Sequence, residues 1–346
     1  MHIHYSFIVP VYNRPGEIKE LLRSMRQLRF DRPFEVVIVE DGSTLSSEEV
    51  LTDFTEDLQV SYFKKPNSGP GDSRNFGMRK AKGDYFLILD SDVLLPTNYL
   101  AEVDQELQRD FTHCFGGPDA AHVGFTAVQK AINYAMTSFL TTGGIRGGKK
   151  SVGKFQPRSF NMGLSKKAFE QSGGFGSIHP GEDPDLALRL QKSGFKTRLF
   201  PEAFVYHKRR IDWKKFYQQV NKFGLVRPIL NSWHPASAKI TFWFPTLFIF
   251  GFALSLILLL FGFPWLLYAY GIYVLLLFLH SLLLNKSLKI AIYSVWAALV
   301  QFVGYGLGFC RATCYLRILK EDPKKRFPKL FFKHAQENQN SQQSAV

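Results

Sequence analysis

Residues 67–96 read NSGPGDSRNFGMRKAKGDYFLILDSDVLLP. A glycine-bearing turn leads into the helix-compatible stretch Asp72–Ala81, then into the apolar run Tyr85–Leu89, then into Asp90-Ser91-Asp92. A strand with no polar alternation is one buried on both faces, and a helix delivered directly into it is half of a β-α-β unit. The same alternation extends toward the N-terminus. Tyr5–Val11 (YSFIVPV) is a short apolar strand ending in a turn-prone Asn13-Arg14-Pro15, after which Ile18, Leu21, Leu22, Met25 and Leu28 recur at helical spacing. Phe34–Val39 is a second continuous strand. Ser46 or Ser47 then caps a helix carrying Val50, Leu51 and Phe54, and Val60–Phe63 is the third strand. This order predicts an α/β domain with a mostly parallel sheet covered on both faces. Ligands of such sheets bind beyond the carboxyl ends of the strands. The informative polar residues lie there: Asn13 after the first strand, Glu40-Asp41 after the second, Asp90-Ser91-Asp92 after the fourth.

Downstream, residues 111–160 are glycine-rich. Ala127–Leu140 reads as an amphipathic helix and Thr141–Lys154 as a basic loop. A strand–helix unit returns at Ser159–Ser172. It is followed by the acidic Gly181-Glu182-Asp183-Pro184-Asp185 and a helix through Leu186 and Leu190 closed by Gly194. From about residue 240 the character changes. Ile240–Phe263, Trp265–Leu284 and Ile290–Phe309 each offer about 20 uncharged, largely apolar residues, the length that crosses ~30 Å of hydrocarbon. The uncharged Gly262-Phe263-Pro264 is the expected outer turn. Basic residues flank the first segment, dot Asn285–Lys289 and crowd Arg311–Lys333, so keeping them on one side allows a first hairpin but not a full third crossing. Gly304, Gly306 and Gly308 suit a re-entrant or tilted element there. The tail from Asn338 is polar and is expected to be disordered.

The chain carries 43 Lys+Arg against 29 Asp+Glu, a formal +14. Such a charge suits nucleic acid or an anionic membrane. No helix-turn-helix, zinc or RNA-binding pattern is present, and the apolar segments beside the basic clusters favour the membrane. Cys114, Cys310 and Cys314 form neither a disulfide framework nor a zinc spacing, which fits a reducing compartment. The opening MHIHYSFIVPVYN lacks the pattern of a signal peptide, so the polar half is expected on the cytoplasmic side of an inner or plasma membrane. The expected organisation is residues 1–210 as a catalytic domain, 211–235 as an interfacial helix, 236–320 as a membrane domain with two or three spans, and 321–346 as a basic, polar tail.

Two carboxylates at i and i+2 leaving a strand can turn toward one divalent cation, whose hard oxygen preference suits Mg²⁺ or Mn²⁺ shared with phosphate oxygens. Taken alone, D-x-D is common in solvated loops. Its context is more specific. SFIVPVYNR (6–14), VVIVEDGST (36–44), the 67–96 stretch, FNMGLSKKAFEQSGGF (160–175) and GEDPDLALRLQKSGF (181–195) together resemble the family 2 glycosyltransferases, over roughly residues 5–207. The resemblance implies the GT-A fold, an inverting reaction, a nucleotide-sugar donor and a divalent metal.

Residue by residue, the resemblance implies that Pro10, Val11 and Asn13 line the nucleotide pocket. Asp41 would accept a hydrogen bond from the base, although Asp41-Gly42-Ser43 also reads as an ordinary Asx turn. Arg74 would reach the base or diphosphate, against the plainer reading of a solvated helix-face cation. Gly69 and Gly71 would let backbone approach the nucleotide. Asp90 would contact ribose or metal-bound water, and Asp92 would ligate the metal. Glu182-Asp183 matches the acidic motif that holds the catalytic base; Asp183 fits better than Glu182, and both stay candidates. In isolation these acids merely complement a helix N-terminus. His207, ending the strand AFVYH, is a candidate metal or phosphate contact, and Lys208, Arg209 and Arg210 could hold diphosphate or face headgroups.

Ile211–Leu230 alternates aromatics with cations and reads as an interfacial helix. Processive synthases of the family carry Q-x-x-R-W in this neighbourhood. Here Gln219-Val220-Asn221-Lys222-Phe223 departs from it, which argues against polymer synthesis. The expected function is metal-dependent transfer of a sugar from a UDP- or GDP-sugar to a lipid-linked or membrane-associated acceptor. A short-chain polysaccharide synthase or an inactive nucleotide-sugar-binding scaffold are the alternatives.

Overall fold

A computed structural model describes residues 2–120, 124–143, 155–207 and 212–332. The expected basic loop is described only to Gly143; Lys208–Arg210 and the polar tail lie outside the described residues. Contacts divide the chain into two compact units. The first comprises Met1–Ala120, Lys149–His207 and Phe331–Val346, and the second Ala121–Gly148 and Lys208–Leu330.

The first unit contains strands β1 (Tyr5–Val11), β2 (Glu35–Asp41), β3 (Gln59–Lys65), β4 (Tyr85–Leu89), β5 (Val93–Leu94), β6 (Cys114–Gly116), β7 (Asp119–Ala120), β8 (Asn161–Ser165), β9 (Thr197–Leu199) and β10 (Val205–His207). Helices α1 (Pro15–Arg26), α2 (Glu48–Leu51), α3 (Pro70–Lys80) and α4 (Tyr99–Arg109) belong to it. A seven-stranded sheet has the order β3-β2-β1-β4-β8-β6-β9. Strands β1 to β4 are mutually parallel where they pair, as the sequence predicts. Strand β8 runs antiparallel to both β4 and β6, a direction that no local pattern encodes. The helix expected from Ser47 to Phe54 is shorter, turning 3-10 over Thr52–Phe54, yet it buries Leu51 and Phe54 as anticipated.

Period-two alternation splits the strand residues between two cores. Phe7, Val9, Val36, Ile38, Leu87 and Leu89 pack with Leu21, Met25 and Val103 of α1 and α4. Ile8, Val37, Val39, Phe86 and Ile88 pack with Met78 of α3 on the other face. Fully burying each Val, Leu, Ile or Phe contributes about 1.5–3 kcal/mol, so covering both faces fixes the strand register. Gly77 brings α3 close to the sheet, where a Cβ would lie 2.8 Å from Ile8 Cγ2. A small second sheet, β5-β10-β7, carries the chain after Asp92 to the end of β10.

The second unit is helical. It contains α5 (Ala127–Thr137) and α6 (Phe139–Thr142). Between them and the spans, the first unit contributes α7 (Lys166–Ser172) and α8 (Glu182–Lys192) to the chain order. The second unit resumes with α9 (Trp213–Trp233), α10 (Phe244–Leu260), α11 (Trp265–Asn285) and α12 (Leu288–Thr313). Thr126 and Gln129 close a capping box at α5. Three helices are long and apolar enough to cross a membrane: Ile240–Leu260, Trp265–Asn285 and Leu288–Ile318, the first two with 11% of their apolar window buried.

The stretch expected as an interfacial helix is α9, and it packs on α12 through glycine. A Cβ on Gly224 would lie 2.9 Å from Phe309 N, and one on Gly304 would lie 3.2 Å from Tyr217 O. Small residues let two helix backbones approach in this way. The Gly304, Gly306, Gly308 run therefore makes close helix contact within a continuous helix; it does not break the chain into a re-entrant loop. The run also meets α10: Thr246 Oγ1 donates to Gly306 O at 3.0 Å, and the Trp243 and Phe309 rings lie 4.9 Å apart.

Candidate active site

Three strand ends build one wall of the site in the first unit. Asn13 follows β1 with φ 55, and its Oδ1 accepts from the N–H groups of Thr44 and Leu45, both at 2.8 Å. It thereby ties the β1 loop to the β2 loop. Glu40 is buried and accepts from Ser43 Oγ, Ser47 N and Tyr62 OH. Asp41 stands in register with Lys65 across β2 and β3, and Lys65 Nζ lies 2.6 Å from Asp41 Oδ1. The N–H groups of Ser68 and Gly69 complete the set at 3.0 and 2.9 Å. Asp41 thus holds the turn that starts α3, and a base N–H reaching it would add to or displace these donors. Pro10 and Val11 are buried inside β1, while Tyr12 beyond them is exposed. Gly69, at φ 93, faces the ring of Phe332, whose N–H donates to Ser177 O at 2.9 Å. Gly71 packs beneath Gly176.

Arg74 is the hub of the second wall. Its side chain is 4% exposed and lies in α3, where NH2 is 2.7 Å from Asp90 Oδ1 and NH1 is 3.1 Å from Glu182 Oε1. It is not the solvated cation that helix position alone allows. Burial opposes its charge, but Asp90 and Glu182 outweigh burial and push the guanidinium pKa up. Glu182 and Asp183 are the first residues of α8, not the residues before it, and Gly181 in a left-handed conformation introduces them. Burial pushes the Glu182 carboxyl up, but His179, 3.0 Å away, and Arg74 prevail and hold it at about 2. Glu182 is therefore a locked anion. Asp183 is more open: its side chain is 16% exposed, with Arg158 NH1 3.6 Å away.

The third wall is made by the short sheet. Because His207 of β10 pairs with Val93 of β5, the residue just before Val93 comes beside the imidazole. His207 Nε2 lies 3.2 Å from Asp92 Oδ1, and its ring stacks on Phe160 at 4.8 Å. Asp90, Asp92 and His207 each offer a ligand atom, all within 4.8 Å of one another. Two carboxylates and one imidazole form a donor set that fits a divalent cation. Arg14 NH1 approaches Asp92 Oδ2 at 3.4 Å. On the other side of the imidazole, Asp119 Oδ2 lies 3.9 Å from Nδ1.

The structure thus joins Arg74, Asp90 and Glu182 by direct contact and places Asp92 with His207. Asn13 holds the loop after β2, and Asp41 holds the β3–α3 turn that contains Gly69. Sequence reasoning missed Lys65, His179, Arg158, Asp119 and Phe332. All but His179, which stands three positions before Glu182, act across a strand pairing or a long separation, and only Lys65 left a signal, as a cation ending the strand whose centre is VSYF.

Residues 6–173 match the model of glycosyl transferase family 2. The chain is 38% identical over 106 residues to an uncharacterized glycosyltransferase of Rickettsia bellii, covering 31% of this chain and 14% of that protein. It is 29% identical over 210 residues to an uncharacterized glycosyltransferase of Haemophilus influenzae, covering 58% of this chain and 67% of the relative. The chain therefore spans about a seventh of the rickettsial relative and two thirds of the other. Among solved structures, a mannosyltransferase from Pyrobaculum calidifontis in complex with GDP-Man and Mn²⁺ superposes with a TM-score of 0.56 at 17% identity. It covers 90% of this chain and 88% of its own, a likeness that bears out the GT-A architecture.

Proposed function

Residues 6–173 of this chain belong to glycosyl transferase family 2, and from that premise we propose that the protein is an inverting, metal-dependent glycosyltransferase. It moves one sugar from a UDP- or GDP-sugar to a lipid-linked or membrane-associated acceptor. The observation that carries the reading is the Asp90–Arg74–Glu182 chain, which ties the D-x-D turn to the start of the acidic helix. With it, the metal-binding and proton-accepting groups occupy one end of the sheet.

In the reaction, the acceptor hydroxyl attacks the anomeric carbon from the face opposite the diphosphate. Asp183 takes the hydroxyl proton as the new C–O bond forms and the bond to the diphosphate breaks, which inverts the configuration. Glu182 is a poor candidate for that role, because an anion held at about 2 by His179 and Arg74 has little affinity for a proton. A divalent cation bound by Asp90, Asp92 and His207 would stabilise the charge of the departing diphosphate. Arg74 fixes Asp90 and Glu182, while Asn13 and Asp41 shape the loops around the base.

The acceptor class follows from the three apolar helices: a catalytic domain tethered to a bilayer meets membrane acceptors at high effective concentration. A cytoplasmic catalytic domain agrees with the basic residues that flank those helices. The test is a panel of UDP- and GDP-sugars added to the full chain in detergent, with Mn²⁺ or with EDTA. Thermal stabilisation and slow donor hydrolysis by one sugar, present only with the metal, is the expected result. No response to any nucleotide sugar in Mn²⁺ would overturn the reading.

A further inference from the structure

Within the helical unit, the ends of α9 and α12 and the segment leading into α10 line a half-open cavity of about 210 Å³. Its walls combine three chemistries. Trp243 and Phe309 meet edge to face and supply an apolar side. Lys239, just before the first apolar helix, and Arg317, in the π-helical turn Cys314–Ile318, supply two cations. Asn231, in the last turn of α9, and Thr313, ending α12, supply polar groups. The acid four residues beyond Arg317 is engaged elsewhere, since Glu321 lies 3.7 Å from Arg326.

Two polar atoms in this wall lack partners among the described residues. Asn231 is 7% exposed, and its Oδ1 is buried without a hydrogen bond; Thr313 Oγ1 is buried in the same state. A buried polar atom left unbonded is destabilising, and a ligand with matching groups removes that cost. Thr313 can donate to an anionic oxygen, and Asn231 Oδ1 can accept from a hydroxyl or ammonium.

The depth of the cavity follows from helix direction. A hairpin of α10 and α11 returns the chain to the side from which it entered, so Lys239 and the Asn285–Lys289 turn share that side. Three full crossings in alternation would put the end of α12 on the opposite side. Instead Phe309 touches Trp243, and Gly306 bonds Thr246. The end of α12 therefore comes back to the entry side, and the cavity lies at the level of headgroups, where Trp and cations concentrate. The long third helix is strongly tilted relative to the hairpin.

We propose that this cavity is a binding site for a phosphate-bearing lipid headgroup. Arg317, Lys239 and Thr313 hold the phosphate, Asn231 takes a hydroxyl or ammonium of the same headgroup, and Trp243 with Phe309 meets the start of the chain. The π-helical turn widens the helix at Arg317, a feature frequent at functional sites. This reading rests on the apolar helices lying in a membrane and not on sugar transfer.

The test uses the full chain in detergent and four probes: dioctanoyl phosphatidylglycerol, dioctanoylglycerol, farnesyl phosphate and inorganic phosphate. Binding is read by native mass spectrometry and thermal shift, with nucleotide-sugar binding followed in parallel. A lipid phosphate should bind at least tenfold tighter than dioctanoylglycerol and than inorganic phosphate. Comparison of the phosphatidylglycerol and farnesyl phosphate arms tells a phospholipid from an isoprenoid source. Arg317→Gln should weaken that binding about tenfold or more. Thr313→Val keeps the volume and removes an unpaired hydroxyl, so it should weaken lipid binding while leaving lipid-free stability equal or higher. Equal binding of dioctanoylglycerol, equal binding of inorganic phosphate, or wild-type lipid affinity in both variants would overturn the site. Lipid binding without any nucleotide-sugar binding would defeat the transferase reading and leave this one standing.

Discussion

Arg74 and Glu182, 108 positions apart in sequence, are joined by a 3.1 Å ion pair in which both side chains are almost completely buried. Glu182 is held at about 2, against an ordinary value of 4.5. A carboxyl whose folded value is depressed contributes stability that is present above its unfolded value and lost as pH falls through the folded one. The window here runs from about 4.5 down to about 2 and is worth roughly 3 kcal/mol at full extent. The melting temperature of the full chain should therefore fall between pH 5 and pH 3, and Glu182→Gln should flatten that part of the profile. A variant profile as steep as wild type would show that the acid sensitivity arises elsewhere.

Arg74→Ala strands Asp90 and Glu182 without their shared cation. Removing one partner of a buried pair costs about 3–5 kcal/mol. Arg74→Lys keeps a charge but cannot reach both carboxylates with a fork, so it should recover only part of the loss. Calorimetric unfolding of both variants checks this order.

His207→Ala removes the imidazole from the Asp90–Asp92 cluster and should weaken Mn²⁺ binding about tenfold or more, in line with the cost of disturbing a metal shell. Mn²⁺ titration by electron paramagnetic resonance reads this without turnover. Asp119→Asn should have a smaller effect, because that carboxylate stands 3.9 Å behind the imidazole.

The contact of Trp243 with Phe309 gives a topological prediction. Single cysteines placed at Lys286 and Arg326, in a chain with its three native cysteines replaced by serine, should label from the same face of sealed vesicles. Labelling from opposite faces would mean that α12 crosses completely.

Much of the sheet was legible because β1, β2 and β4 carry continuous apolar runs (FIVPV, VVIV and YFLIL) and alternate with helical spacing. What stayed illegible depends on pairing. The direction of β8 appears only when Leu87 is set against Gly163. Asp41 reads as a turn residue or a base contact until register brings Lys65 beside it. His207 gains its place from the two-residue strand β5, too short to be seen in the sequence. Glu182 and Asp183 look alike in a row of acids; only burial and the reach of Arg74 tell the locked one from the open one. Gly304 and Gly308, read as suiting a re-entrant or tilted element, lie in a continuous helix, where they allow the approach of α9.

General-base catalysis by Asp183 is tested by measuring donor binding and sugar transfer together in Asp183→Asn. The substitution keeps shape but cannot take the acceptor's proton, and loss of a general base costs on the order of 10²–10⁴ in rate. A fall of that size is expected with donor affinity nearly unchanged, and a milder rate effect in Glu182→Gln. A wild-type transfer rate in Asp183→Asn would contradict it.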